Sequence, residues 1–205
     1  KVMHAIARLL STEKPYCALM IKGYAGTGKT TLVGSTVRVC TKNKAKTILL
    51  APTGRAAKVM GNYSGTSAFT IHKWIYQLRT KGDGSLGLSL APNLSKNTLF
   101  VIDEASMIGS SGLMDAASFS FRDLLEDLIK YVFSGKNCKL ILIGDNAQLP
   151  PVGSDQSPAL DISSLSGRFP LNIASIELTE VMRQAEDSGI LNNATRIRDL
   201  IRNQS

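Results

Sequence analysis

Eight residues constrain this chain more than the rest. Gly23-Tyr24-Ala25-Gly26-Thr27-Gly28-Lys29-Thr30 matches the pattern G-x-x-x-x-G-K-[ST] and follows an apolar run at 17–21. The run reads as a buried strand that feeds the loop. Glycines there let successive backbone N–H groups turn inward around a polyphosphate, and Gly23, Ala25, Gly26, Thr27, Gly28 and Thr31 supply the cradle. Lys29 adds a point charge for the terminal phosphates, and the Thr30 hydroxyl can ligate Mg²⁺. Residues 31–39 can continue as a helix whose N-terminus faces the anion and whose dipole favours it. A strand, a phosphate loop and a helix in this order demand an α/β fold.

The chain has 205 residues, 43% of them hydrophobic, enough to bury one full core, so a single domain over 1–205 is expected. No apolar run approaches the length of a membrane helix. The first ten residues have an amphipathic helical rhythm (Val2, Ile6, Leu9, Leu10) rather than the apolar block of a signal peptide, so the cytoplasm is the expected compartment. Cys17, Cys40 and Cys138 are far apart and odd in number, which favours buried thiols over disulfides or metal ligands. His4 and His72 make no metal set. Net charge is +8, with Lys42, Lys44 and Lys46 clustered in one segment and Arg55, Lys58, Lys73, Arg79 and Lys81 in the next. Such a bias fits a polyanionic partner, although a solubilising surface would also account for it.

Apolar runs alternate with longer helical patterns, which predicts a mainly parallel sheet covered by helices. Strands are expected at 17–21, 47–51, 98–102, 139–143 and 175–178. Helices are expected at 30–40, 54–60, 71–79, 112–133 and 190–202, with a short one at 159–165 and a surface excursion or hairpin over 80–96. Gly, Asp, Thr or Pro stands just past the first four strands, where open α/β sheets place ligands.

Two of those strand ends carry further chemistry. Residues 99–102 are apolar and end in Asp103 and Glu104, as a buried strand delivering carboxylates to a phosphate site would. Asp103 would hold Mg²⁺, directly or through water, and Glu104 would orient and deprotonate the attacking water. The run at 140–143 closes on Gly144-Asp145-Asn146-Ala147-Gln148 and a Pro-Pro turn. Gln148 is uncharged and can both donate and accept, so it can sense a terminal phosphate.

Taken together, GYAGTGKT, APTGRAA at 51–57, TIHKWI at 70–75, VIDEASMI at 101–108, IGDNAQLPPV at 143–152 and LTEVMRQ at 178–184 make a specific set. In order and approximate spacing it resembles the first motor domain of superfamily 1 DNA helicases, in the RecD-like branch related to the exonuclease V subunit. The resemblance covers about residues 17–184. It implies a RecA-like P-loop NTPase fold, a three-layer sandwich, that uses ATP and Mg²⁺ to translocate 5′-to-3′ on single-stranded DNA. It places Lys29 and Thr30 on phosphate and metal, Asp103 on the metal, Glu104 on the water and Gln148 on the γ-phosphate. Arg183 should also reach that phosphate, because a guanidinium stays charged and can fork onto two oxygens. Pro52, Thr53, Gly54, Arg55, Thr70, His72 and Lys73 should contact the DNA strand, with Lys58 beside them. Trp74, at helical spacing from Ile71 and Leu78, is read as core rather than as a base-stacking ring.

Members of that family also carry a Gln-containing segment ahead of the helix that begins here and a second RecA-like domain that closes the ATP site. Neither pattern is found in these residues, so the chain is expected to be a fragment that partners the second motor domain of the full-length protein. Repair or recombination proteins are the further partners implied, and no membrane is. Two other readings share the phosphate loop: a nucleotide-gated DNA-binding module with little turnover, and a small P-loop kinase.

Overall fold

The structure, a computed structural model, describes residues 1–80, 84, 86–109, 123–148, 151 and 157–179, and the backbone of 114–115 and 120–121. In chain order its elements are α1 (Val2–Ser11), β1 (Cys17–Gly23), α2 (Lys29–Lys42), β2 (Lys46–Ala51), α3 (Gly54–Ser64), β3 (Ala68–Thr70) and α4 (Ile71–Ile75). A hairpin of β4 (Tyr76–Thr80) and β5 (Leu86–Leu90) leads to β6 (Thr98–Ile102) and to two short strands, β7 (Met114–Asp115) and β8 (Ser120–Phe121). They are followed by α5 (Leu124–Ser134), β9 (Lys139–Gly144), α6 (Ile162–Arg168) and β10 (Asn172–Leu178).

The central sheet has six strands in the order β10-β1-β9-β6-β2-β3, and every neighbouring pair in it is parallel. Its inner strands are continuous apolar runs because helices cover both faces. Alternate residues point to opposite sides: Leu19, Ile21, Leu99, Val101, Ile141 and Ile143 pack with α1 and α2, whereas Met20, Phe100, Ile102, Leu140 and Leu142 pack with α4 and α5. The result is the expected three-layer α/β sandwich.

Three expectations for single elements are corrected. The helix expected over 71–79 stops at Ile75, and Tyr76–Thr80 pairs antiparallel with Leu86–Leu90. Leu78, which completed the helical rhythm, is 69% exposed, so no core rewards that rhythm, while the hairpin satisfies its backbone groups. The helix expected from 112 starts at Leu124, where the Asp123 side chain accepts the Glu126 backbone N–H at 3.1 Å. The short helix expected at 159–165 divides into a 3₁₀ turn, Pro158–Leu160, and α6, whose start is fixed by Asp161 accepting from the backbone N–H groups of Ser163 and Ser164. The helix expected at 190–202 lies outside the described residues. Strand β3 was not anticipated, since three half-buried residues leave too short a pattern to read.

Candidate active site

Because the strands are parallel, the carboxyl ends of β1, β9, β6, β2 and β3 stand side by side at one edge of the sheet, the upper edge. The phosphate loop leaves β1 there. Gly26 and Gly28 have φ of 83° and 86°, a left-handed conformation that glycine adopts without strain, and Gly28 caps α2. Gly23 has no room for a side chain, since a Cβ would lie 2.6 Å from the Thr27 hydroxyl, which donates to the Tyr24 carbonyl at 2.7 Å.

Lys29 folds back into this loop. Its ammonium donates to the carbonyls of Gly23 (2.5 Å) and Tyr24 (3.0 Å) and stands 3.6 Å from an Asp145 carboxylate oxygen. Both ionic side chains are nearly buried, 11% and 3% exposed, so the pair is little screened. The sequence places Asp145 in the motif at 143–152 without assigning it a role. The signal available was a carboxylate delivered by β9, the strand between β1 and β6.

Asp103 and Glu104 leave the end of β6. The Asp103 backbone N–H donates to the Leu50 carbonyl of β2, and its side chain accepts the Glu104 backbone N–H at 2.9 Å. Glu104 sits at φ 53°, a left-handed conformation that a non-glycine residue holds only where its surroundings impose it. One of its carboxylate oxygens is buried with no hydrogen-bond partner among the described residues. Burial raises the pKa of Asp103, opposed by the Glu104 backbone N–H and by Lys29. Glu104 is raised too, by burial first and then by the Asp103 charge, with Lys29 opposing and Asp145 adding to the rise.

Tyr24, Ala25, Gly26, Gly28, Lys29, Thr30, Thr31, Glu104 and Gln148 line one cleft of about 160 Å³. The structure therefore gathers residues from three separate motifs, 23–31, 103–104 and 148, around a single space. Arg183 lies outside the described residues.

The segments expected to meet DNA follow β2 and β3, which are adjacent in the sheet. Thr53 caps α3 by accepting the Ala56 N–H, and Thr70 caps α4 by accepting the Lys73 N–H, both at 3.2 Å. Arg55, Lys58 and Lys73 are exposed, and Pro52, Thr53 and Thr70 half-buried. Burial lowers the pKa of His72, whose ring lies 5.8 Å from that of Tyr76. Trp74 packs against the core with its ring 4.8 Å from Phe69, as a core residue should.

A phosphate loop after the first strand of a parallel sheet, with paired carboxylates two strands away and β9 between them, defines a P-loop NTPase α/β domain. The chain belongs to the AAA domain family AAA_30, whose model matches residues 3–200. It is 30% identical over 179 residues to the ATP-dependent RecD2 DNA helicase of Deinococcus radiodurans, covering 86% of this chain and 21% of that one. It is also 30% identical over 182 residues to the ATP-dependent DNA helicase dda of enterobacteria phage T4, covering 87% and 37%. Among solved structures, the Bacteroides Pif1 helicase in complex with ADP-AlF3 and ssDNA superposes with a TM-score of 0.58 at 22% identity, over 97% of this chain and 46% of that chain. That likeness supports the fold, and the two relatives bear out the sequence resemblance to RecD-like superfamily 1 proteins. The chain spans only about a fifth to two fifths of the length of these curated relatives.

Among the described residues, no helix is long and apolar enough to cross a membrane. Cys17, Cys40 and Cys138 are free and buried.

Proposed function

We propose that this chain is the ATP-hydrolysing motor domain of a DNA helicase that moves on single-stranded DNA. The observation that carries the reading is Glu104: a half-buried carboxylate on a strained backbone, with one oxygen buried and unpartnered among the described residues, held at the same cleft as the phosphate loop and Gln148. Its raised pKa brings it closer to the range where a carboxylate serves as a general base. Lys29 exchanges its loop carbonyls for phosphate oxygens, and Asp145 keeps the ammonium aimed into the loop. Gln148 contacts the terminal phosphate and reports its presence.

The donor set also fits a divalent cation. Thr30 and Asp103 would hold it, and when bound it offsets the negative charge that builds on the phosphates. The cleft is smaller than the ~300–1,000 Å³ usual for a whole ligand, so it suits the phosphate end of a nucleotide. The base, the Arg183 contact and the closing wall belong, in this proposal, to the rest of the site and to a second motor domain.

Single-stranded DNA would cross the upper edge over β2 and β3. Thr53 and Thr70 each accept one backbone hydrogen bond as caps and keep a hydroxyl proton to donate to a phosphate. Pro52 and Gly54 let the strand approach, and Arg55, Lys58, His72 and Lys73 supply donors and charge. Movement 5′-to-3′, a cytoplasmic setting suited to the free thiols, and work beside repair or recombination proteins, including an exonuclease V-type nuclease, are the finer parts of the same proposal. They rest on the RecD-like resemblance.

ATP turnover with and without a single-stranded oligonucleotide tests the reading. We expect stimulation by the oligonucleotide, and loss of it in Glu104→Gln with nucleotide binding retained. Turnover indifferent to DNA in a chain that includes the downstream sequence would overturn it.

A further inference from the structure

The lysines at 42, 44 and 46 take no part in the site above, and the topology groups them with four others at the opposite, lower edge of the sheet. Four neighbouring strands are entered there through lysine-bearing turns: Lys14 ahead of β1, Lys136 and Lys139 at β9, Lys96 ahead of β6, and Lys42, Lys44 and Lys46 at β2. With about 4.8 Å between strands, the row is ~15 Å long. Backbone and side-chain contacts tie the turns together. Lys96 and Lys136 form a backbone bridge, with Lys136 N–H donating to Ser95 at 3.0 Å and Asn97 N–H to Lys136 at 2.9 Å. The Asn137 side-chain amide donates to Asn97 at 2.8 Å, and Lys139 Nζ donates to the Lys14 carbonyl at 2.9 Å. Lys46 stands opposite Thr98 in the sheet register. Tyr16, Lys44, Asn97 and Asn137 all have positive φ (52°, 56°, 47° and 51°), each within two residues of the strand it introduces.

This edge is nearly of one sign. Glu13 is the one acid in the four turns, and none of the seven lysines forms an ion pair with a carboxylate among the described residues. Six of the seven are exposed; Lys139 is buried. The turns hold seven of the chain's 24 cations and one of its 16 acids, which leaves 17 and 15 elsewhere. Most of the +8 net charge therefore sits on the lower edge. A solubilising surface interleaves both signs; a single-sign row favours a polyanion.

The row also has an aromatic member. Lys14, Lys139, Asn137, Tyr16 and Phe133 help line a cleft of about 390 Å³. Tyr16 is 44% exposed and is braced edge-on by Phe133, ring centroids 5.5 Å apart. Cations beside an exposed, fixed aromatic ring are what single-stranded nucleic acid needs.

We propose that the lower edge is a second surface for single-stranded DNA, holding its phosphates on the lysine row with Tyr16 as a stacking platform for a base. It lies about one strand length, ~20 Å, from the nucleotide cleft, so it would hold a different stretch of DNA from the one at the upper edge. The proposal needs no ATP turnover and stands apart from the motor reading.

Fluorescence anisotropy of a labelled oligothymidylate on the 205-residue chain, over a range of salt concentrations, tests it. Replacing Lys14, Lys44, Lys96 and Lys136 together with Gln should flatten the slope of log affinity against log salt by about 3, at ~0.7 per phosphate contact, and weaken binding at least tenfold at low salt. Should that variant misfold by circular dichroism, Lys96→Gln and Lys136→Gln singly should each flatten the slope by about 0.7. Tyr16→Ala should cost several-fold in affinity and leave the slope alone. An unchanged slope overturns the proposal, as does equal competition by a polyglutamate peptide, which would mark an acidic protein as the occupant. Arg55→Gln with Lys73→Gln tells the two surfaces apart: if only that pair alters the slope, the upper-edge reading stands and the lower-edge one falls.

Discussion

The two edges of one parallel sheet handle charge in opposite ways. At the nucleotide cleft of the upper edge, charges of both signs form a partly to fully buried cluster: Lys29 beside Asp145, with Asp103 and Glu104 close enough for Lys29 to lower their raised pKa values. At the lower edge six exposed lysines stand in a row with almost no acids. Coulomb interactions strengthen as water is excluded, so the cluster at the upper edge suits the chemistry on a phosphate proposed above. The lower edge faces solvent, where fields fade within ~10 Å at ordinary salt, so it suits adhesion to a polymer rather than reaction. Position along a strand thus separates two settings of the same residue type, lysine.

The largest expected difference between the edges concerns turnover. Lys29→Ala should reduce DNA-stimulated ATP hydrolysis at least ~100-fold, the size seen when a preorganised charge is removed from a reacting phosphate or oxyanion. Lys130→Ala, which removes an exposed lysine paired with Glu126 on α5, should stay within about twofold. Comparable losses in both would mean that the Lys29 effect is one of folding.

Packing should separate the edges next. A Cβ on Gly144 would lie 2.6 Å from a Leu160 methyl and 3.0 Å from the Ser106 backbone nitrogen, and the backbone cannot yield as a side-chain tip can. Gly144→Val should cost ~2–3 kcal/mol in a urea titration. Lys96→Ala, at the foot of the neighbouring strand, should stay within about 0.5 kcal/mol. A Gly144→Val midpoint equal to that of the unaltered chain would show the upper edge to be looser than its contacts indicate.

How far these edges could be read in advance differs in an instructive way. The four inner strands were legible because both faces are covered and each is an uninterrupted apolar run, so its end, and the group delivered there, could be located to within a residue or two. The gathering of Lys29, Glu104 and Gln148 followed from that, since parallel strands put their ends together. Asp145 escaped because its role is a pairwise contact with Lys29, 116 positions away, and no local pattern encodes such a pair. Leu78 misled for a related reason: a 3.6-residue rhythm reports a buried face only if something covers it, and the hairpin leaves that side chain in solvent. The lower edge was legible at Lys42, Lys44 and Lys46 alone, because strand order, not sequence order, brings Lys14, Lys96 and Lys136 beside them.

Burial of like charges at the upper edge should carry a pH-dependent cost that the lower edge lacks. Asp103 and Glu104 both have folded-state pKa values raised above the ordinary 3.8 and 4.5. A raised carboxylate contributes its stability below the ordinary value and loses it as pH climbs through the folded-state value. At pH 7, above both ordinary values, the two raised carboxyls therefore weigh against the folded state. Glu104→Gln should raise stability there by about 1 kcal/mol, the gain usual when a functional site is relieved, while abolishing turnover. Melting curves at pH 7 and below pH 4 check the sign: the gain should vanish at the lower pH, and a constant gain would assign it to something other than ionisation.

The smallest effect probes whether the upper edge touches DNA at its helix caps. Thr53 caps α3 through its side-chain oxygen, and Asp caps a helix as well as Thr or better, with added benefit from the dipole. Thr53→Asp should consequently leave stability within about 0.5 kcal/mol of the original. If a DNA phosphate sits at the α3 N-terminus, the introduced carboxylate competes for the same donors and repels it, so oligonucleotide affinity should drop a few-fold and recover in Thr53→Ser. Unchanged affinity in Thr53→Asp would move the strand away from β2 and leave Thr53 as a cap alone. No such exchange exists at the lower edge, where lysines extend from turns rather than from capped helix starts, and substitution there acts through charge without a compensating structural role.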